Sequence, residues 1–476
     1  MPWPMAAALL LPLFLSCERK APAPGPTTGP TTRPKPAKPV FQGQDMLAHW
    51  AKRFERRPEG SFDTPMPKLE KKDREQVIDQ IYTALSTGRG MQRFAKQARQ
   101  SLLENPGKAI PGLALYLADP ENADDTKARA LALFAGAPHR LLTSLCLQHL
   151  DDRSRLIRLE CVRRLDEGRN LGNLPRLLRR TREFYEEDPE ILAAIYVALA
   201  RLGNLSGLDP LLAWLDRADL RPRAGTALIA IVALFGPAYE ESDGWGGLAK
   251  KGRGLLSTWK REGQLPFVDA APGWTKADRY LLDREFWLFL RHLSGKDLRV
   301  VDEARFIGEH AGTAMVPLVH ECLRDQRLRQ RFHALEILIA LGRPGNEAQK
   351  EVLPLIDQPL TRSYALNAYG AIHGEGALEL LLGVLRSDPA LPNRQKDEKI
   401  AALAGLSGLE SPGAFEFLSK LFAREKDTEL KAWTARAWIA SARGAHDQAR
   451  TYLQHLLDTK AFHEPTLLEM LREADR

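Results

Sequence analysis

The chain has 476 residues, of which 44% are hydrophobic. This is enough apolar side chain for several domains or an extended repeat array, and it excludes a wholly disordered protein. The formal net charge is +7, but residues 1–40 hold five basic side chains against one acidic one, so the remainder is close to neutral. A nucleic-acid-binding domain concentrates positive charge in its folded part. The charge distribution therefore argues against binding to DNA or RNA.

The N-terminus has the pattern of an export signal. Residues 6–15 read AAALLLPLFL, an apolar run of the length of a signal-peptide core and too short to span a bilayer. The run ends in Ser16-Cys17 and resembles the bacterial lipobox, in which the cysteine is lipidated and becomes the mature N-terminus. Two features depart from that pattern: residues 1–5 contain no Lys or Arg, and Phe14 stands where Leu is preferred.

A proline-rich segment follows Cys17. Residues 21–40 read APAPGPTTGPTTRPKPAKPV, without an aromatic or acidic residue, and such a composition forms neither a helix nor a ladder of strands. We expect a disordered, extended tether that reaches roughly 60 Å at about 3.1 Å per residue. An uncleaved signal anchor and an unlipidated secreted form are the alternatives to a lipid-anchored protein.

Three further cysteines lie in apolar helical patterns, namely Cys146, Cys161 and Cys322. Buried free thiols are the simplest interpretation. A Cys146–Cys161 bridge across one helical hairpin is the alternative, and spacing alone does not decide between them.

Beyond residue 44, apolar residues recur at helical spacing, and signals of strands are scarce. Glycines typical of helix C-caps follow at intervals of 32, 35, 33, 72, 34, 32, 34 and 36 residues. These glycines are Gly136, Gly168, Gly203, Gly236, Gly308, Gly342, Gly374, Gly408 and Gly444. A period near 34 residues predicts an all-α solenoid of about nine or ten antiparallel helical hairpins.

The local pattern resembles HEAT repeats. Asp152 is followed six residues later by Arg158, and Asp325 by Arg331. Prolines are also expected early in first helices, at Pro111, Pro210, Pro317 and Pro354. The resemblance implies that the turn Asp caps the second helix and pairs with the Arg of a neighbouring repeat. The units with Asp216 and Asp357 lack an Arg at that spacing, and a tetratricopeptide assignment stays open at the C-terminal end.

The doubled glycine interval indicates an insertion rich in Gly and Trp. We expect either an irregular excursion that contacts a partner or a local packing plug with buried tryptophans. The predicted organisation is a signal peptide (1–17), a linker (18–43), a helical N-terminal cap (44–106), repeats (107–236), the insertion (237–275), repeats (276–450) and a C-terminal helical cap (451–476).

Motifs for catalysis or metal binding are weak. Residues 247–254 have Arg where a phosphate-binding loop needs Lys, and residues 405–409 lack the last glycine of a nucleophile elbow. His310, His320, Cys322 and His333 cluster in sequence, but His320 and Cys322 point in opposite directions on one helix. We therefore expect no enzyme activity, no cofactor and no metal.

The HEAT resemblance implies a protein-binding scaffold that acts through an extended concave surface lined by second helices. Together with the N-terminal pattern, it predicts a lipid-anchored protein of the bacterial envelope, in the periplasm or at the cell surface, that binds a partner protein and neither nucleic acid nor a small molecule. Candidate contact residues are Arg155, Arg327, Arg329, Trp245 and Trp259. The alternatives are an intracellular HEAT-like enzyme of the DNA-base repair or bilin lyase type and a structural envelope protein.

We expect Cys17→Ala to release the protein from the membrane fraction, because the variant has no thiol to acylate. Fractionation and mass determination of the mature N-terminus check this outcome. An intact, unmodified N-terminus in the cytosol of wild-type cells would contradict it.

Overall fold

The structure is a computed structural model that describes residues 45–54, 66–88, 90–235, 244–262, 276–293, 295–386, 394–407, 409, 412–441, 447–461, 466–468 and 470–471. Within these ranges the regular elements are α-helices and short 3₁₀ turns, and none is a β-strand. None of the helices described is long and apolar enough to cross a membrane. The predicted signal peptide, Cys17 and the whole predicted linker lie outside the described residues, as do Gly236, Gly408 and Gly444.

The chain divides into two compact units. The N-terminal unit is Trp50–Met315, and the C-terminal unit is Val316–Arg476 together with the residues up to His49. The boundary falls within the first helix, α1 (Met46–Arg53).

The N-terminal unit is built from thirteen further helices. They are α2 (Lys71–Leu85), α3 (Gln92–Glu104), α4 (Pro106–Ala118), α5 (Asp124–Ala132), α6 (Arg140–Gln148), α7 (Arg155–Gly168), α8 (Leu174–Thr181), α9 (Pro189–Arg201), α10 (Leu208–Trp214), α11 (Arg221–Phe235), α12 (Gly244–Glu262), α13 (Lys276–Leu290) and α14 (Leu298–His310).

Four of its hairpins form a solenoid, namely α4–α5, α6–α7, α8–α9 and α10–α11. The second helices α5, α7, α9 and α11 stack in one row, each against the next, and their apolar faces bury residues such as Leu131, Ile157 and Ile195. Proline is tolerated near the start of a helix because its missing N–H has no intrahelical acceptor there. Pro175 accordingly occupies the first turn of α8. Of the prolines expected early in first helices, Pro210 lies in the first turn of α10 and Pro317 in that of the helix Val316–Leu323, whereas Pro111 lies inside α4 and Pro354 inside the helix Gln349–Ile356.

The described part of the insertion, residues 244–262, is a 19-residue helix, α12. This helix packs against α10 and α11, where Gly252 lies against Leu212 and Leu228. Apolar residues at helical spacing, Leu248 and Leu256 among them, are buried along its inner face. The expectation that this segment packs locally against the solenoid therefore fits α12.

After α12 the chain folds back along the first helices. Helices α13 and α14 pack against α8, and α13 also covers the 3₁₀ turn at Leu171–Asn173. Buried charges lie in this contact: Arg176 of α8 is 3.5 Å from Glu285 of α13, whose side chain is almost fully buried. At the far end, the Asn204 side chain donates a hydrogen bond of 2.7 Å to the carbonyl of His310. The interval between Gly236 and Gly308 is therefore about twice the others because α12 and α13 depart from the row of hairpins, and not because one capping glycine is missing.

The C-terminal unit repeats the hairpin design. Its helices are α15 (Val316–Leu323), α16 (Leu328–Leu341), α17 (Gln349–Ile356), α18 (Arg362–His373), α19 (Leu378–Arg386), α20 (Arg394–Ser407), α21 (Pro412–Arg424), α22 (Thr428–Ser441) and α23 (Asp447–Asp458). The second helices α16, α18, α20 and α22 stack in a row, and α23 packs on α22. Both units are thus α-solenoids of HEAT-like hairpins.

The predicted C-cap glycines have three fates in the structure. Gly342 and Gly374 cap α16 and α18 with positive φ angles of 64° and 62°, a conformation that costs glycine little. Gly168 is instead the last residue of α7, and Arg169 takes the left-handed conformation. Gly308 lies inside α14, and the glycine with positive φ is Gly312.

Two glycines bring α18 and α20 into backbone contact. A Cβ added at Gly370 would lie 2.6 Å from the Cα of Gly405 and 2.8 Å from its carbonyl oxygen. Because the obstacle is backbone, rotation of a side chain does not relieve it. Gly405, the first glycine of the sequence compared with a nucleophile elbow, therefore contributes to helix packing.

We expect Gly370→Ala to lower the free energy of unfolding by about 1–3 kcal/mol, because α18 and α20 must separate to admit the methyl group. The matched control is Gly383→Ala on α19, where an added Cβ meets nothing within 4 Å. That substitution should raise stability by up to about 1 kcal/mol, since alanine favours a helix. Urea unfolding monitored by circular dichroism measures both, and equal effects of the two substitutions would refute the backbone contact.

Candidate functional site

The turns between first and second helices carry the charged residues that sequence analysis singled out. The carboxylate of Asp152 accepts a hydrogen bond of 2.8 Å from the backbone of Ser154, and that of Asp325 accepts one of 2.7 Å from the backbone of Arg327. Each carboxylate thus binds the N–H group of the residue directly before the second helix, Ser154 before α7 and Arg327 before α16, and not one within the helix. The capping of the second helix that the HEAT resemblance implies is therefore not observed for Asp152 and Asp325.

The arginine six residues later does not pair with its own turn carboxylate. Arg158 donates to the carbonyl of Asp152 at 2.9 Å, and Arg331 donates to that of Asp325 at 2.7 Å. The remaining N–H groups reach the next turn of the solenoid, where Glu186 accepts from Arg158 at 2.8 and 3.0 Å. Gln358 accepts from Arg331 in the same way at 2.9 Å. Each arginine therefore joins two consecutive hairpins.

The two units without this spacing bind a carbonyl six residues back in a similar way. Arg221 donates to the carbonyl of Leu215 at 2.6 Å. In the Asp357 unit, the hydroxyl of Thr361 donates to the carbonyl of Leu355 at 2.7 Å. The six-residue spacing is therefore shared, whereas the donor and the place of the accepting carbonyl differ: Leu215 directly follows α10 and Leu355 lies in α17.

Arg155, a predicted contact residue, lies between two hairpins. Its guanidinium binds Asp188, which caps α9, and Glu190 in the first turn of α9. Lys396 repeats the arrangement in the C-terminal unit, where its ammonium lies 2.8 Å from Asp427 and 3.0 Å from Glu429. An Asp-x-Glu sequence at the start of a second helix therefore receives a cation from the preceding repeat.

Arg327, another predicted contact residue, binds the first residue that the structure describes. Its guanidinium lies 2.6 Å from Asp325 and 3.2 Å from Asp45, and the backbone N–H of Met46 donates to Asp325 at 3.1 Å. The first residues of α1 are thereby fixed on the α15–α16 turn. Arg329 is exposed on α16.

The two predicted tryptophans take part in packing around α12. The ring of Trp245 covers Gly225 of α11, where an added Cβ would lie 2.0 Å from the ring, and 46% of this residue stays exposed. Trp259 is half-buried, and its ring lies against Gly312.

Residues that suggested other chemistry are separated. His310 bonds the carbonyl of Phe306 at 2.8 Å, His320 contacts Glu351, and His333 bonds Glu336 at 2.7 Å, while the Cys322 thiol faces Gln330 at 3.4 Å. Among the residues the structure describes, no three His, Cys, Asp or Glu side chains are grouped to hold a metal. Residues 247–254 lie within α12 and form no loop around a phosphate.

A buried cluster fixes the α8–α9 turn, residues 182–188. Arg180 bonds Glu186 at 2.7 Å and Asp151 at 2.6 Å, and Arg158 binds Glu186 from α7. Burial by itself raises the pKa of Glu186, but the hydrogen bonds from Arg158 and Arg180 outweigh it and lower the pKa below its ordinary value of 4.5. On the other side, the Tyr185 hydroxyl bonds Glu303 of α14 at 2.5 Å.

This fixed turn presents Phe184 to solvent. The residue is 83% exposed, and its backbone has a positive φ of 72°. A bulky residue in the left-handed region is an outlier, and such strain persists only where the surroundings determine it. Sequence analysis missed Phe184. The sequence does contain a signal, because residues 182–188 are otherwise polar but include the aromatic pair Phe184-Tyr185, and they end at the Asp188-Pro189 helix start.

Comparison with known proteins gives no match among protein families or curated proteins. Among solved structures, human deoxyhypusine hydroxylase in complex with glycerol is similar over 72% of this chain and 97% of its own, with 17% identity and a TM-score of 0.22. The karyopherin Kap121p bound to the extreme C-terminus of the protein phosphatase Cdc14p is similar over 90% of this chain, with 13% identity and a TM-score of 0.25. The chain spans about half of that karyopherin, 51%. At TM-scores this low the likenesses carry no argument about function.

We expect Glu186→Gln to lower the free energy of unfolding at pH 7 by about 1.5–3 kcal/mol, because two buried arginines lose a charged acceptor. The pKa of Glu186 is lowered in the folded state, so its contribution is present above pH 4.5 and is lost as the pH falls through the folded-state pKa. The difference between wild type and variant should therefore shrink on acidification.

Urea midpoints between pH 7 and pH 3 measure this effect. Glu75→Gln is the control, since the Glu75–Lys71 pair lies on the exposed face of α2 and spans 3.9 Å. A constant difference across the pH range would show that the carboxylate charge of Glu186 is not what stabilises the turn.

Proposed function

We propose that this chain is a non-catalytic scaffold of the bacterial cell envelope, anchored to a membrane through lipidated Cys17, that binds a partner protein on its solenoid surface. The observation that carries the binding role is Phe184, an exposed aromatic side chain on a turn that α7, α8 and α14 hold in place. Rigid aromatic residues contribute disproportionately to protein interfaces, because little conformational freedom is lost on binding.

Two of the predicted contact arginines already have partners within the chain. Arg155 and Arg327, expected to meet a partner, are bound to carboxylates of the chain itself. Replacing either one would disturb hairpin stacking or the attachment of α1, so neither isolates a binding contribution. The exposed apolar residue Phe184 can be replaced without breaking an ion pair, which makes it the better contact candidate.

The membrane anchor rests on the N-terminal sequence. The apolar run of residues 6–15, the Ser16-Cys17 pair and the proline-rich spacer follow one another directly. The spacer leads to Asp45, which Arg327 holds on the α15–α16 turn. An anchored solenoid of this kind would search the volume within reach of its tether for a partner, which raises the effective concentration of each for the other.

The test replaces Phe184 with a photo-crosslinking benzoylphenylalanine in cells that make the full chain. We expect ultraviolet light to produce one discrete protein adduct, identified by peptide mass. The control position is Phe94 on α3, which is 55% exposed but belongs to a regular helix, and it should give no such adduct. With the purified partner, Phe184→Ser should weaken binding at least about tenfold, equivalent to about 1.4 kcal/mol, while Phe94→Ser should not.

Other outcomes favour other functions. Sedimentation with peptidoglycan and no protein adduct at position 184 would indicate a structural envelope protein. An intact N-terminus in the cytosol would remove the anchor, and the DNA-base repair and bilin lyase alternatives would then be assayed directly.

A further inference from the structure

The end of α1 packs against α13 within the N-terminal unit. Trp50 and Phe54, four residues apart on one face of the helix, are 0% and 5% exposed. The ring of Phe54 contacts two aromatic rings of α13, with centroid distances of 5.3 Å to Tyr280 and 5.6 Å to Trp287. The face of α13 therefore buries an aromatic side chain that comes from a different part of the sequence.

Two polar contacts fix the position of α1 on this face. The Tyr280 hydroxyl donates a hydrogen bond of 2.8 Å to the carbonyl of Arg53, and the Arg53 guanidinium lies 3.5 Å from the carboxylate of Asp283. The Asp283 side chain is buried, whereas that of Arg53 is partly exposed. The face of α13 thus offers aromatic surface, a hydroxyl and a carboxylate, and α1 supplies a complementary group to each of them.

The short helix α1 depends on such contacts for its stability. It has eight residues, and isolated helices of this length are not stable in water. Its buried aromatic residues lie on one face, which is how a helical ligand occupies a groove on another protein. In its contacts with α13, α1 is therefore equivalent to a peptide ligand that is covalently joined to its own binding site.

We propose that the α13 face also binds α1 of a second copy of this chain, so that two copies exchange their α1 helices. A second copy is the occupant that the contacts specify, because it carries the same Arg53-Phe54 pair at the same spacing from Trp50. Exchange breaks and remakes identical contacts. The balance between one copy and two is therefore set by the chain concentration and by the entropy of the connecting segment.

The connection between α1 and α2 is long enough for exchange. Eleven residues, 55–65, connect Phe54 to the next described residue, and a segment of this length spans at most about 40 Å. The α1 helix can therefore reach the α13 face of a neighbouring copy while α2 stays in its own hairpin. The exchange goes beyond the proposed function and requires neither the lipid anchor nor the binding of a partner protein.

The test mixes two populations of the full chain. The light population has natural isotope abundance and carries the photo-crosslinking residue benzoylphenylalanine in place of Phe54, whereas the heavy population is wild type with a heavy nitrogen isotope. After illumination, peptide mass mapping shows which population supplied α13. We expect adducts to α13 from both populations, and the heavy share should rise with the chain concentration. Adducts to light α13 alone would overturn the exchange.

A reciprocal probe covers the case in which the bulky residue at position 54 disturbs the contact. Benzoylphenylalanine in place of Tyr280 in the light population should give adducts to residues 45–54 of the heavy population. The matched control is the same residue at position 51, because Ala51 is exposed on α1 and should give no adduct to α13. Adducts within single copies only, at both position 54 and position 280, would refute the inference.

A competing peptide tests whether α1 itself is recognised. An excess of a synthetic peptide of residues 45–57 should lower the yield of heavy adducts at least about twofold, because it competes for the α13 face by mass action. The same peptide with Arg53→Ala and Phe54→Ser should not. A dimer detected by light scattering without heavy adducts at either position would also count against the exchange. Phe184 is unchanged in all these chains, so the outcome is independent of the proposed partner binding.

Discussion

A hydrogen bond from an arginine of the second helix to a backbone carbonyl of the turn before it is the interaction on which both solenoids depend. The accepting carbonyls belong to Asp152 and Asp325, which lie in the turns that lead into α7 and α16. Arg158 and Arg331 satisfy them and at the same time reach a side chain of the next turn. One residue thus completes its own hairpin and attaches it to the following one. Solenoid stability depends on such contacts between neighbours, because each hairpin alone buries too little apolar surface.

Several ion pairs of this protein join consecutive hairpins. The Asp-x-Glu sequences that begin α9 and α22 each bind a cation from the preceding repeat, Arg155 in one case and Lys396 in the other. The helix N-terminus already orients these carboxylates, so each of them can pair with only a few of the cations nearby. A surface that looks rich in arginine in the sequence is therefore poorer in available cations in the folded chain.

The helices that interrupt the row of hairpins, α12 to α14, support the solenoid at other places. Where a further hairpin would continue the row of second helices, α12 covers α10 and α11, and α13 and α14 return along α8. The return brings Glu303 against Tyr185 and Arg179, at 2.5 and 3.0 Å, and so completes the support of the α8–α9 turn. These contacts fix the turn between α8 and α9, and within it Phe184 has a left-handed backbone conformation that an isolated turn would not keep.

The sequence alone determined the helical class, the hairpin period and the turn positions of Asp152 and Asp325, because these depend on residues within a few positions of each other. Apolar spacing specifies a helix face, and Asp152 and Asp325 act on N–H groups two residues away. Gly342 and Gly374 were likewise correctly placed, whereas Gly168 and Gly308 were not, because a glycine in a helix's last turn does not reveal which residue turns left-handed. Only the tertiary structure decided what Arg155 and Arg327 bind, where α13 and α14 lie, and that Phe184 is exposed on a fixed turn. Most of those outcomes depend on contacts between residues that are about 30 to more than 250 positions apart along the chain. Met46 and Asp325, for example, are separated by 279 residues. No local sequence pattern encodes such contacts.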